Sequence, residues 1–151
     1  MDQNEIIRAL LDVFGHKLEL CYLFGSHAAG RATDESDLDL AVLTSETMTR
    51  EEVWHIAQKL AIRLGTEVDL INLMDCNTVL SMQIIEEGKL LFDLHHKAPF
   101  FETNIFRMYQ DLQLSRHENL AAFRQRWVNG KESSVLWMMS SSIKYQSLNV
   151  V

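Results

Sequence analysis

The sequence predicts an α/β (α+β) fold, and three observations predict it. Residues 18–24 form a short apolar run, and residues 37–43 and 66–73 alternate polar with apolar, as strands do. Between and around them, apolar residues recur every three or four positions, the period of a helix. Glycines at 15, 25 and 65 stand where one pattern gives way to the next.

The elements follow in order. Ile6, Ile7, Leu10, Leu11 and Phe14 mark an amphipathic helix over 4–14, and Gly15 suits its end. LELCYLF at 18–24 reads as a buried strand stopping at Gly25. In 37–43 the strand face carrying Leu38, Leu40 and Val42 turns to the core. Thr49 and Glu52 form a capping box. The helix it opens shows Val53, Ile56, Ala57, Leu60, Ala61 and Leu64 on one face and ends at Gly65. In 66–73, Glu67, Asp69 and Ile71 share one strand face. A turn at Asp75, Cys76 and Asn77 leads to a short helix through Ile85, and Leu90, Leu91 and Phe92 form a last strand. Pro99 suits the first turn of a long helix reaching about Trp127. Its stripe of Phe101, Ile105, Tyr109, Leu112, Leu120, Phe123 and Trp127 is expected to pack as core, though a helix this long can leave part of it for a partner. The domain is thus expected over 1–127. The serine-rich tail 128–151 reads as a non-catalytic extension: an accessory helix, a disordered end or appended residues.

The chemistry concentrates in GSHAAGRATDESDLDLAV, residues 25–42. Residues two apart on a strand point the same way. Asp37 and Asp39 therefore project together, with backbones roughly 6.6 Å apart. Two carboxylates this close repel unless a cation lies between them. Mg2+ is the natural occupant, a hard ion held by one or two carboxylates plus substrate phosphates. Gly25 allows a sharp turn and close backbone approach, and the Ser26 hydroxyl with the turn's N–H groups can cradle phosphate oxygens. Arg31 is a candidate phosphate contact, since guanidinium binds phosphate with two prongs. A third carboxylate is expected if two metals clamp the attacking and leaving oxygens. Asp69 is the candidate, as metal ligand and possible base.

These residues, with the later EVDLINL, resemble the minimal nucleotidyltransferases of the DNA polymerase β-like superfamily. More narrowly they resemble the antitoxins of HEPN/minimal-nucleotidyltransferase toxin–antitoxin pairs. The likeness covers roughly residues 1–127 and includes EEGKLLF at 86–92. It implies a nucleotidyltransferase fold, a small mixed sheet flanked by helices with a long C-terminal helix. It implies transfer of AMP from ATP, with pyrophosphate leaving. Gly25 and Ser26 would hold the triphosphate, Asp37 and Asp39 would bind two Mg2+ ions, and Asp69 would complete one metal site and help activate the acceptor. In that branch the acceptor is a tyrosine of a cognate HEPN toxin, an RNase, which the modification silences.

Composition narrows the alternatives. The net charge of −7 argues against direct nucleic-acid binding, which needs basic surface. The chain lacks a long apolar run for a membrane span, and its N-terminus is acidic and polar, unlike a signal peptide. Cys21 and Cys76 read as free thiols of a reducing cytoplasm. His95 and His96, adjacent in a loop, cannot readily face one ion, and His27 is placed near the phosphates. HEPN RNases carry Arg-x(4–6)-His, and Arg50 with His55 matches that spacing by chance: both fall on the polar side of a capped helix, and no tyrosine follows His55 at that family's next position. Two other readings stand beside the enzymatic antitoxin. One is an antitoxin acting by binding alone, which an intact carboxylate set disfavours. The other is a small-molecule, aminoglycoside-type nucleotidyltransferase, which usually has a second domain for its acceptor.

Overall fold

The computed structural model describes residues 1–33 and 35–129. The extension expected over 128–151 lies outside the described residues from position 130 on. Contacts divide the chain into two units, Met1–Tyr109 and a second that begins at Gln110.

The first unit is built on four strands: β1 (Leu18–Phe24), β2 (Leu38–Thr44), β3 (Val68–Asn72) and β4 (Lys89–Asp93). They form one mixed sheet in the order β3-β2-β1-β4. β1 runs antiparallel to both β2 and β4, whereas β2 and β3 are parallel. A parallel pair cannot be joined by a hairpin. Here helix α3 (Arg50–Leu64) makes the crossover. The remaining helices are α1 (Gln3–Phe14), the one-turn α2 (Gly25–Ala28), α4 (Thr78–Glu87) and α5 (Ala98–Asn129). The fold is thus the expected small mixed sheet flanked by helices.

Strand alternation sorts the core onto two faces. Leu38, Leu40, Val42 and Leu70 meet Ile6 and Leu10 of α1 and Ala57 and Leu60 of α3. On the other face, Leu20, Tyr22 and Ala41 meet Ile84 of α4 and Ala98 of α5. Each leucine fully buried here contributes about 1.5–3 kcal/mol relative to exposure. Burial pushes the Cys21 thiol well above its ordinary range, so it packs as a small apolar group.

The helix starts carry their own punctuation. Thr49 accepts from the Glu52 N–H at 3.1 Å, the half of the capping box that its spacing predicts. Asp2 caps α1 and Asn77 caps α4 in the same manner. At the head of α5, the Asp93 carboxylate accepts from the N–H groups of Lys97 and Ala98 at 2.8 and 3.1 Å. The Tyr22 hydroxyl, from the middle of β1, donates to Glu102 at 2.9 Å and fixes the first turns of α5 over the sheet.

The α5 stripe departs from expectation. Ile105 is buried, but Leu120 is exposed. Apolar periodicity reports that a helix has a face; it does not report whether anything covers that face. In the second unit the described residues, through Asn129, continue the helix. Among the described residues no helix is long and apolar enough to cross a membrane.

Candidate active site

β1 delivers the chain to Gly25 at one end of the sheet. Phe24, its last residue, pairs with Asp39 of β2. The chain then turns at once: Gly25 takes φ +70°, a conformation that favours glycine, and opens the single turn of α2. The glycine is required for a second reason. A Cβ at this position would run onto the Oδ2 of Asp39 and stand 3.1 Å from its Cγ. The turn backbone and the Asp39 carboxylate are therefore in direct contact.

The loop back to β2 is held locally. The Arg31 N–H donates to the Ser26 carbonyl at 2.9 Å. The Thr33 N–H donates to Ser36 Oγ at 2.8 Å, and His27 Nε2 lies 3.4 Å from the Ser36 carbonyl. This tight knot ends where the carboxylates begin. The strand opens at Leu38, whose N–H donates to the Glu67 carbonyl at 2.8 Å, so Asp37 stands one residue ahead of the ladder. Asp39 is partly buried and Asp37 is exposed, and Asp39 pairs in register with Asp69 of β3. Neighbouring strands lie about 4.8 Å apart. Asp39 and Asp69 are thus side by side on one sheet face, and Asp37 lies two residues before Asp39.

Electrostatics record this crowding. Asp39 is held above the ordinary carboxylate range, first by burial, then by the charges of Asp69 and Asp37, with His27 opposing them. Among the described residues no three His, Cys, Asp or Glu side chains converge tightly enough to cage a metal ion by themselves. The donors are all hard carboxylate oxygens, beside the Gly25 turn, in a place where negative charge accumulates. That chemistry suits a hard cation sharing its shell with substrate oxygens. Ser26 is half-buried at the start of the α2 turn, and Arg31 is exposed on the loop after it.

Two grooves run along α3 and β3, and one of them adjoins the carboxylates. One, of about 410 Å³, is lined by Asp37 and Asp69 together with Arg50, Trp54, Gln58 and Glu67. The other, of about 250 Å³, shares Arg50 and Val53 and extends to Asn72, Asp75 and Asn77. Sequence patterning assigns Trp54 no role and joins Arg50 to His55 only by a coincidence of spacing. Arg50 and His55 are both exposed, as expected of a polar helix side, and the His55 ring packs edge-on against Trp54 with centroids 5.2 Å apart. The signal that could have found this wall is a tryptophan on the polar side of an amphipathic helix, 60% exposed, where a solvated face would carry a smaller or charged residue.

Comparison with known proteins adds an independent line. The family model described as polymerase beta, nucleotidyltransferase matches residues 5–97. The protein adenylyltransferase MntA of Shewanella oneidensis is 40% identical over 116 residues, which cover 77% of this chain and 83% of that protein. A crystal structure of a toxin–antitoxin with AMP-PNP includes a chain 38% identical, with a TM-score of 0.72, covering 81% of this chain and 98% of that one. A structure of tri-AMPylated Shewanella oneidensis HEPN toxin in complex with MNT antitoxin matches at 37% identity and a TM-score of 0.65, covering 80% of this chain and 93% of that one.

Proposed function

The chain belongs to the polymerase beta-type nucleotidyltransferase family, and from that premise we propose that it transfers AMP from ATP to a tyrosine hydroxyl of a cognate HEPN toxin, silencing it as an antitoxin. The relative named protein adenylyltransferase MntA, at 40% identity, supports the reaction. The neighbour that pairs a tri-AMPylated HEPN toxin with an MNT antitoxin supports the partner, and the one with AMP-PNP supports ATP. One observation on this chain carries the reading: the Gly25 turn lies against the Asp39 carboxylate while Asp69 stands abreast of it.

Each residue then has a role. The Gly25 and Ser26 backbone, with the Ser26 hydroxyl, binds the triphosphate, and Arg31 reaches its outer oxygens. Asp37, Asp39 and Asp69 would hold two Mg2+ ions, which when bound neutralise the phosphates and polarise the α-phosphoryl group. Asp69 orients the acceptor hydroxyl and takes its proton. The acceptor oxygen bonds to the α-phosphorus as the bond from that phosphorus to the bridging oxygen breaks, and pyrophosphate departs with the electron pair. Residues 1–127 are taken as the catalytic domain. Cytoplasmic location is part of the same reading, supported by free cysteines and a substrate, ATP, that the cytoplasm supplies.

The test is the intact mass of a HEPN-type protein encoded beside this chain, after incubation with the chain, ATP and Mg2+. We expect a gain of one or more AMP units, absent with the Asp37→Asn/Asp39→Asn variant. A toxin that is neutralised without any change in mass would replace the enzymatic reading with stoichiometric binding.

A further inference from the structure

Which surface receives the acceptor is set by the geometry of transfer. The attacking and leaving oxygens lie on opposite sides of the phosphorus. In the sheet, β2 separates β1, which ends at Gly25, from β3, which carries Asp69. A triphosphate held at Gly25 and Ser26 places its leaving group over the β1 side, so the attacking oxygen arrives from the β3 side.

β3 is an edge strand of the sheet, five residues long, with α3 packed beside it. The groove of about 410 Å³ opens here, with Asp37 and Asp69 among its walls and Arg50 and Trp54 on its α3 side. At Arg50 and Val53 it meets the second groove, of about 250 Å³, near Asn72 and Asp75. Together they make a trough along β3 that is longer than a single side chain fills. Its charges are arranged unequally. Asp37, Glu67 and Asp69 lie among its walls with Arg50 as its one cation among the described lining residues. Arg50 is 95% exposed, and its contact with Asp75 spans 4.0 Å, so its guanidinium is available to a further acceptor group. Beyond the metal-binding carboxylates the trough adds Glu67 and Asp75, which disfavour a triphosphate but not an uncharged stretch of polypeptide. Trp54 offers a large, rigid aromatic surface of the kind that anchors protein interfaces.

We propose that this trough is the acceptor groove. It takes a polypeptide segment of the partner that carries the acceptor tyrosine. The tyrosine enters at Asp37 and Asp69, an adjoining apolar side chain covers Trp54, and a carbonyl or carboxylate of the segment pairs with Arg50. Trp54 and Arg50 are then the specificity-determining residues for the partner. This rests on the reading that the acceptor is a protein hydroxyl.

The test uses the full chain and its Trp54→Ala and Arg50→Glu variants. Three quantities are measured: the affinity of the HEPN-type partner by surface plasmon resonance, the affinity of a non-hydrolysable ATP analogue with Mg2+ by calorimetry, and the steady-state transfer rate. Both side chains are exposed, so the variants fold, which thermal melting checks. We expect partner Kd and KM to rise about tenfold or more. Analogue affinity, and kcat at saturating partner, should stay within about twofold of the parent. Unchanged partner affinity would overturn the proposal. So would analogue affinity falling in step, which would assign the trough to the nucleoside. A parent chain that binds the partner without adding AMP refutes the enzymatic reading alone, because the variants' partner Kd still judges the groove. A parent that does not bind the partner refutes both.

Discussion

Replacing Gly25 by alanine should separate the strain of a turn from the geometry of a catalytic centre. Gly25 sits at φ +70° and Gly65, which ends α3, at φ +69°. Forcing an L-residue into this region costs about 1–2 kcal/mol. At this chain length each kcal/mol lowers Tm by roughly 2–4 °C. The two positions differ in what a new methyl group meets. At Gly65 nothing lies within 4 Å. At Gly25 the methyl meets the Asp39 carboxylate, and relieving that overlap moves the carboxylate by about 1 Å, a misplacement that can cost ~100-fold in rate. Gly65→Ala should therefore lose stability and keep its transfer rate. Gly25→Ala should lose stability and about two orders of magnitude in kcat, with melting still cooperative. Scanning fluorimetry gives Tm, and a radiolabelled AMP transfer assay gives the rate. Equal activity in the two variants would refute the argument that the turn and Asp39 are in contact. So would a Gly25→Ala protein whose only defect is a lower Tm.

Two further outcomes concern the carboxylates. Asp39 titrates above its ordinary value in the folded chain, so its ionised form opposes folding. That penalty is fully present above the raised value, shrinks as pH falls through it, and is gone below the ordinary 3.8. Asp39→Asn should accordingly abolish transfer yet raise the Tm of the metal-free protein at neutral pH, with the advantage fading in acid; pH-resolved melting checks this, and a lower Tm at neutral pH contradicts it. Mg2+ with AMP-PNP should stabilise the parent chain by about 2.7 kcal/mol at one hundred times the dissociation constant. The same additions should leave the Tm of an Asp39→Asn/Asp69→Asn double variant nearly unchanged.

Much of this architecture is legible in the residues because local and tertiary forces agree there. The runs at 18–24, 37–43 and 66–73 form β1, β2 and β3, since each carries apolar side chains that only burial can satisfy, on both faces in β1. Thr49 and Gly65 bracket α3 as a capping box and a left-handed glycine should. Strand order is not legible: nothing in the pattern of Lys89–Asp93 says that it pairs with β1 rather than β3. Sequence spacing makes Asp37 and Asp39 equal partners on one strand. The ladder starts between them, leaving Asp37 ahead of the first pair and Asp39 inside it, between two neighbouring strands. Alternation places Asp69 on a strand, but its register opposite Asp39 depends on the length of the α3 crossover, which no short motif encodes. Trp54 escapes such reading because a helix wheel sorts residues into inside and outside and is silent about which outside residues border a cleft.

The sheet order has a consequence along the chain. The Gly25 turn, the three aspartates and the α3 wall all come from one continuous stretch ending with β3 at Asn72. The later elements, α4, β4 and the head of α5, add to the far side of β1 and cover the face of Leu20, Tyr22 and Ala41. The carboxylate site and the cover of the opposite face are therefore encoded in successive passages of the chain. Changes after Asn72 that keep the pairing with β1 and the cover of that face leave the Gly25 turn and the three aspartates in place.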